Sequence, residues 1–321
     1  MKRLILAAVA ALAVLAAPGA AAARADAPGV STGNVTNKTF SAAKLNGSVD
    51  PNGAPTTFYF EYGPTQRYGS RTADLPAGNG GSAKRVSADV SGLTPNTKYH
   101  FRLVASNASG VRSGADKTFT TNKQPLGLSI TAAPNPVVLG QPTTVSGQLT
   151  GTGNAGRAVA LQQRPFPFTA PWAPVGNAVV TDANGAFGFP LLTGIPATTQ
   201  FRVVTVEKPN VESPVLTLPL AVRVKTNVSK TSRVKRGSLV RFSGTIRPAR
   251  AGAQFAIQKR TSDGQWATLA GSITRGGGAT YSGYTKSVRI RRGGTYRVFV
   301  LINDGNLASG IGREVKISTV R

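Results

Sequence analysis

The sequence predicts an all-β chain of three tandem sandwiches behind an apolar leader, and three observations carry that prediction. Short runs of alternating apolar and polar residues recur between Gly, Pro and Asn clusters, while helical periodicity is hard to find after the first two dozen residues. Residues 30–121 hold roughly seven such runs, the number that closes one two-sheet sandwich. The remaining two thirds repeat internally with a period of about 95 residues, again one sandwich per copy.

The leader comes first. MKR followed by LILAAVAALAVLAA is a charged segment and an apolar one, and small residues then offer cleavage after Ala23 or Ala25. Residues 1–25 therefore read as a signal peptide. The apolar run falls short of the roughly 20 residues that span a bilayer, and nothing later in the chain is longer or more apolar. The mature chain is expected to be secreted, extracellular or associated with the cell envelope, with no transmembrane segment. It has no cysteine, which excludes disulfides, thiolate metal sites and cysteine nucleophiles together.

In the first sandwich, Phe58, Phe60 and Tyr62 alternate within TFYFEYG, and Val86, Ala88 and Val90 within RVSADV. From Tyr99 the alternation sends Tyr99, Phe101, Leu103 and Ala105 to one side, and His100, Arg102 and Val104 to the other. Gly92 and Pro95 form the turn before this strand, and Asn107 and Gly110 the turn after it. The pattern Leu93-x-Pro95-x-x-x-Tyr99, with Phe101, Leu103, Asn107 and Gly110, resembles the E-to-F region of a fibronectin type III domain. LNGSVDPNG and FYFEYG resemble a bacterial branch of that family. The resemblance covers residues 30–121 and implies that Tyr99 forms a tyrosine corner, its hydroxyl bonding nearby backbone. It also departs from the family, since Leu45 stands where strand B usually carries tryptophan.

TNKQPLG follows, and residues 122–127 read as a short, bendable linker. Then GRAVALQQR from Gly156 matches GAQFAIQKR from Gly252, VSGQL matches FSGTI, and FRVVTV matches YRVFVL. Both copies, residues 128–223 and 224–321, resemble bacterial immunoglobulin-like modules. LAVRVKTNV joins them without Gly or Pro, so a stiff joint is expected. Tyr296 stands where the first sandwich has Tyr99, and the middle copy has Phe201 instead. Residues matched in both copies serve the shared fold; unmatched ones are free for copy-specific work.

Catalysis needs a base beside its partner, and the single histidine, His100, is expected to point outward among apolar neighbours. No enzyme and no cofactor is expected. SAAK, residues 41–44, matches Ser-x-x-Lys but lies on a predicted strand without the companion motifs of that chemistry. The RGG segments at Arg275 and Arg292 read as turns. DANG, residues 182–185, has too few carboxylates for a calcium loop.

Two unmatched features remain. RPFPFTAPW, residues 164–172, is two residues longer than its counterpart, and Phe166, Phe168 and Trp172 form a candidate aromatic contact site on a loop or edge. The other feature is charge. The formal net charge is +26, and Lys and Arg outnumber Asp and Glu by 19 to 3 over residues 224–321, against 11 to 5 over 27–123 and 5 to 3 over 124–223. Alternation in SLVRFSGTI and SVRIRR turns Arg241, Arg289 and Arg291 outward on two strands expected to be neighbours, a candidate anion-binding site. The expected partners are envelope or extracellular polymers, anionic ones among them, and other secreted or surface proteins. A carbohydrate-binding accessory protein using exposed rings is the alternative reading.

Overall fold

A computed structural model describes residues 26–321, so the leader read over residues 1–25 lies outside the described residues. The described residues form strands and turns with no α-helix, and the chain divides into two compact units that meet between Lys123 and Gln124.

The first unit is one sandwich. Gly29–Thr32, Ala42–Asp50 and Lys84–Ser91 make one antiparallel sheet in that order. The other sheet is built on the pair Thr56–Gly63 and Lys98–Asn107, flanked by Ser70–Arg71 and Leu75–Gly78 on one side and by Gly110–Ser113 and Lys117–Thr120 on the other. The side-chain period of two fills the space between the sheets: Ala43, Leu45, Val49 and Val90 meet Phe58, Phe60, Phe101 and Leu103. Leu45, at the place of the missing tryptophan, is fully buried. Burial of each Val, Leu or Phe side chain here contributes about 1.5–3 kcal/mol.

Tyr99, Phe101, Leu103 and Ala105 are buried as the alternation predicts. Val104 departs from it: expected outward, it is buried, with Tyr59 opposite it on one neighbouring strand and Ser113 on the other. The Tyr99 hydroxyl accepts the Thr94 N–H at 2.9 Å. Tyr99→Phe is expected to leave that N–H without its acceptor and to cost about 0.5–1.5 kcal/mol. Both tryptophans lie in the second unit, so amide hydrogen exchange of the first unit is the measurement. Unchanged protection of its core strands would refute the expectation.

The second unit holds two sandwiches of one plan. In the middle one, Thr144–Thr150 pairs with Gly127–Leu128, Thr131–Ala133 and Ala186–Gly188, opposite a sheet centred on Ala158–Pro165 and Thr199–Thr205. In the third, Arg223–Val228, Ser238–Arg247, Ser282–Ile290 and Arg275–Gly276 lie in that order, opposite Trp266–Ile273, Gln254–Arg260 and Gly294–Leu301. The first RGG segment thus opens a hairpin, and the second leads into the strand from Gly294. Leu161 and Ile257, matched in the repeat, are both buried.

A glycine marks the same place in each sandwich. Gly147 of VSGQL and Gly244 of FSGTI face inward on their strands, where a Cβ would stand 2.0 Å from the Ser129 carbonyl oxygen and 1.8 Å from that of Lys225. The slot so left is crossed by a ring of the neighbouring strand, Phe187 in one copy and Tyr284 in the other. Tyr284 uses it to donate to the Lys225 carbonyl at 3.0 Å, with the Thr226 hydroxyl at 2.8 Å.

The two sandwiches of this unit share one continuous hydrophobic cluster. Between Leu220–Ala221 and Arg223–Val228 the chain has no loop, and the junction is tied by Val222 N–H to Ala308 (3.1 Å), Ala308 N–H to Leu220 (2.8 Å) and Thr198 N–H to Asn306 (3.0 Å). Of the residues read as a linker, Asn122 is hydrogen-bonded to Thr39 of the first unit, and Gln124 exchanges bonds with Thr152 of the second.

Candidate anion-binding face

The third sandwich owes its charged face to strand register. On Ser238–Arg247, Val240, Phe242, Gly244 and Ile246 point inward, so Arg241, Ser243, Thr245 and Arg247 point out. Pairing carries that division across the sheet. Arg241 is opposite Ser287 and Leu239 opposite Arg289, so Arg241 and Arg289 are diagonal neighbours, about 7–8 Å apart between Cα atoms. Arg289 Nη1 donates to the Gly237 carbonyl at 2.7 Å, which fixes the guanidinium near the turn. Arg291 lies one residue beyond the strand's end, where it lines a cleft of about 600 Å³ with Arg289, Arg292 and Lys259 over Val288 and Tyr296. Arg289 thus joins two settings: a sheet face with Arg241 and a rim with Arg291. The Tyr296 hydroxyl donates to the Arg292 carbonyl at 2.7 Å, and burial pushes its pKa above the ordinary value.

The other end of the same face holds cations that alternation alone did not single out. Arg223 is directly opposite Arg247, and Lys225 is opposite Thr245. These side chains line a cleft of about 380 Å³ together with Asn227, Thr245 and Tyr281. The Arg247 guanidinium stands 5.6 Å from the centre of the Tyr281 ring. Between the two cationic ends the outer face carries Asn227, Ser243, Thr285 and Ser287, all neutral. The signal available in the sequence was the outward spacing of Arg223 and Lys225 in VRVKTNV; what it lacked was the partner strand.

The acids of residues 224–321 are elsewhere. Asp263 sits in the turn after Gln254–Arg260, bonded by the Thr261 hydroxyl, which with the Gln265 N–H holds its carboxyl below the usual range. Asp304 follows Gly294–Leu301 and pairs with Arg250 at 3.0 Å. Burial raises its pKa, but the Leu307 N–H and Arg250 outweigh that and lower it. Glu314 precedes Val315–Ile317, on the same opposite sheet, where its charge partly offsets the burial that lowers the pKa of Arg297. Among the described residues, Arg223, Lys225, Arg241, Arg247 and Arg289 take part in no ion pair.

The rings predicted as a contact site are largely occupied by their own chain. Arg164 and Arg202 stand 4.6 and 4.7 Å from the centre of the Trp172 ring, and Arg202 also donates to Gln162 at 2.8 Å. The third sandwich repeats the arrangement: Arg297 is 4.1 Å from the Trp266 ring centre and donates to Gln258 at 2.8 Å. A matched Gln–Arg–Trp stack belongs to the shared fold. Phe166 and Phe168 meet edge to face at 5.6 Å, and Phe166 lies against Gly305 of the third sandwich, so the structure places Phe166 at the junction.

His100 lies on the outer side of its strand, and polar groups surround it there. Its Nδ1 lies 2.8 Å from Asp116, whose carboxylate also accepts from the Tyr68 hydroxyl at 3.0 Å. Burial raises the Asp116 pKa, but the hydrogen bonds from His100 and Tyr68 overcome this and lower it. Beside this group, Arg102 pairs with Glu61 at 2.6 Å. The cluster ties Lys117–Thr120 and its preceding loop to the sheet. Among the described residues, no three His, Asp or Glu side chains group as metal ligands, and no helix is long and apolar enough to cross a membrane.

The chain matches no protein-family model and no curated protein. Among solved structures it is similar to a tetra-tandem repeat in the extending region of a large adhesion protein, at 14% identity and a TM-score of 0.29, over 90% of this chain and 74% of that one. It is similar to the FN1-FN3 domains of chicken CNTN1 at 14% identity and a TM-score of 0.30, over 92% and 99% of the two chains. Trypsin-activated alpha-2-macroglobulin from Escherichia coli gives 12% identity and a TM-score of 0.24, over 92% of this chain and 24% of that one.

Proposed function

We propose that the chain is a non-enzymatic, exported binding or spacer protein at the cell envelope, and that its third sandwich contacts anionic polymers. One observation carries the reading: a sheet face bearing Arg223, Lys225, Arg247, Arg241 and Arg289, with no ion pair to any of them among the described residues. Like charges this close on one sheet destabilise it, and an extended anion relieves the repulsion. The immunoglobulin-like pair, joined through one continuous hydrophobic cluster, supplies a rigid mounting for that face. The carbohydrate reading would draw on Phe166, Phe168 and Trp172, but Trp172 already carries two guanidiniums and Phe166 a neighbouring loop.

The test uses the chain without its leader and heparin or DNA as the polyanion. Binding is expected to weaken steeply with salt, because counterions are released. Changing Arg241, Arg289 and Arg291 together to serine is expected to weaken it far more than changing Arg233, Lys235 and Arg236, which removes the same charge from the short strand Val234–Lys235 and its flanks. The log–log salt slope should fall by about 2–3, as for three lost phosphate contacts. Equal losses from the two triple variants would mean a diffuse positive surface, and the assignment of these three arginines would then be abandoned.

A further inference from the structure

We propose that the cleft between Arg223 and Arg247 binds a phosphate group carried on an extended polymer. The proposal rests on the polyanion reading above and gives it a specific seat. Two guanidiniums directly opposite each other across an antiparallel pair are an unfavourable arrangement in the free protein, since opposed like charges destabilise a sheet. Here nothing neutralises them: Lys225 adds a third charge to the same cleft, and among the described residues no carboxylate pairs with any of the three. Each guanidinium presents a planar fork of donors that fits two oxygens of a tetrahedral oxyanion, and the ammonium adds a point charge. Asn227 and Thr245 line the cleft with further polar groups, and Tyr281 forms a wall.

Arg223 also has room beside Gly140. Gly140 has φ 73°, and a Cβ built there would stand 2.6 Å from Arg223 Nη2, so the missing side chain leaves the guanidinium its room. The face beyond the cleft fits the rest of a polymer. From Arg247 to Arg241 the strand advances six residues, about 20 Å. The interval is lined by Asn227, Ser243, Thr285 and Ser287, which can hydrogen-bond an uncharged stretch, before the charge resumes at Arg241 and Arg289. A chain lying along the strands would put one phosphate in the cleft and meet the second cationic end farther on.

The test separates the cleft from the whole face by ligand length. Tripolyphosphate is too short to reach both ends, whereas long-chain inorganic polyphosphate spans them. At constant ionic strength, with residues 26–321, the pair Arg223→Gln and Arg247→Gln is expected to weaken tripolyphosphate binding at least ten-fold. The pair Arg241→Gln and Arg289→Gln, and the pair Arg260→Gln and Lys316→Gln on the other sheet, should each change it less than three-fold. Long polyphosphate should lose affinity with either of the first two pairs. The thermal midpoint of the cleft variant should not fall, because the substitution removes opposed charges, so lost binding cannot be put down to unfolding.

Equal losses of tripolyphosphate binding from all three pairs would overturn the proposal, as would equally tight binding of citrate, whose charges are carboxylates. If only long polyphosphate binds, and only the Arg241 and Arg289 pair weakens it, the cleft is overturned while the polyanion reading stands. If neither phosphate probe binds, both fall.

Discussion

Gly244→Ala is expected to cost the second unit about 3 kcal/mol or more, at or beyond the upper end of what overpacking a core usually costs. The added methyl would stand 1.8 Å from the Lys225 carbonyl oxygen and 2.7 Å from the Tyr284 hydroxyl. Flexible side chains can yield to such a contact, but the first obstacle is backbone, so Arg223–Val228 would have to move off Ser238–Arg247. Gly283 is the control. It lies on the adjacent strand of the same sheet, pointing outward, and a Cβ there meets nothing closer than 4.0 Å. Gly283→Ala should be neutral or slightly stabilising through the unfolded chain. Denaturant unfolding followed by tryptophan fluorescence reports on this unit, and similar midpoints for the two variants would refute the slot.

The second large effect is alkaline. Burial pushes the Tyr284 hydroxyl up to about 12, against 10 for the free side chain, with the Thr226 hydrogen bond acting the other way. Below pH 10 the tyrosine is neutral in both the folded and the unfolded chain, and its contribution is fully present. As pH rises from 10 towards 12, the unfolded chain alone loses the proton, so stability falls; above 12 the contribution is gone. Two pKa units correspond to about 2–3 kcal/mol. Burial also raises Tyr296, so the clean quantity is a difference: the stability of the parent minus that of Tyr284→Phe should shrink by this amount between pH 9 and 12. A difference that stays constant over that range would show that the Tyr284 hydroxyl ionises as freely folded as unfolded.

What could be read from the sequence follows how far each feature reaches along the chain. The strand from Tyr99 was legible because alternation is local, and it failed only at Val104, whose cross-strand neighbours Tyr59 and Ser113 no local pattern states. Gly147 and Gly244 were visible as matched letters, but their meaning depends on the backbone of a third strand. Arg241 and Arg289 could be placed on neighbouring strands from the sandwich plan alone. Arg223 and Arg247 could not, because their opposition depends on a register set between strands 24 positions apart. The setting of Trp172 was hidden for a similar reason: its companions Arg164 and Arg202 come from two strands whose adjacency no local pattern states. Likewise, Asp116 reaches His100 from the loop before Lys117–Thr120, and nothing around His100 announces it.

The ends of the two later sandwiches carry a mechanical property. In each, a strand near the beginning runs parallel to one near the end: Val137–Val138 beside Leu220–Ala221, and Val234–Lys235 beside Thr319–Val320. Tension that draws the two ends of such a sandwich apart pulls parallel neighbours in opposite directions along their own axes. The hydrogen bonds there, Val137 and Leu139 N–H to Pro219 and Ala221, and Val234 and Arg236 N–H to Ser318 and Val320, are loaded in shear and must break together. In the first unit the opening strand Gly29–Thr32 is instead antiparallel to its partner Ala42–Asp50. Under load along the chain, each of the two later sandwiches therefore carries a clamp that has to fail as a unit.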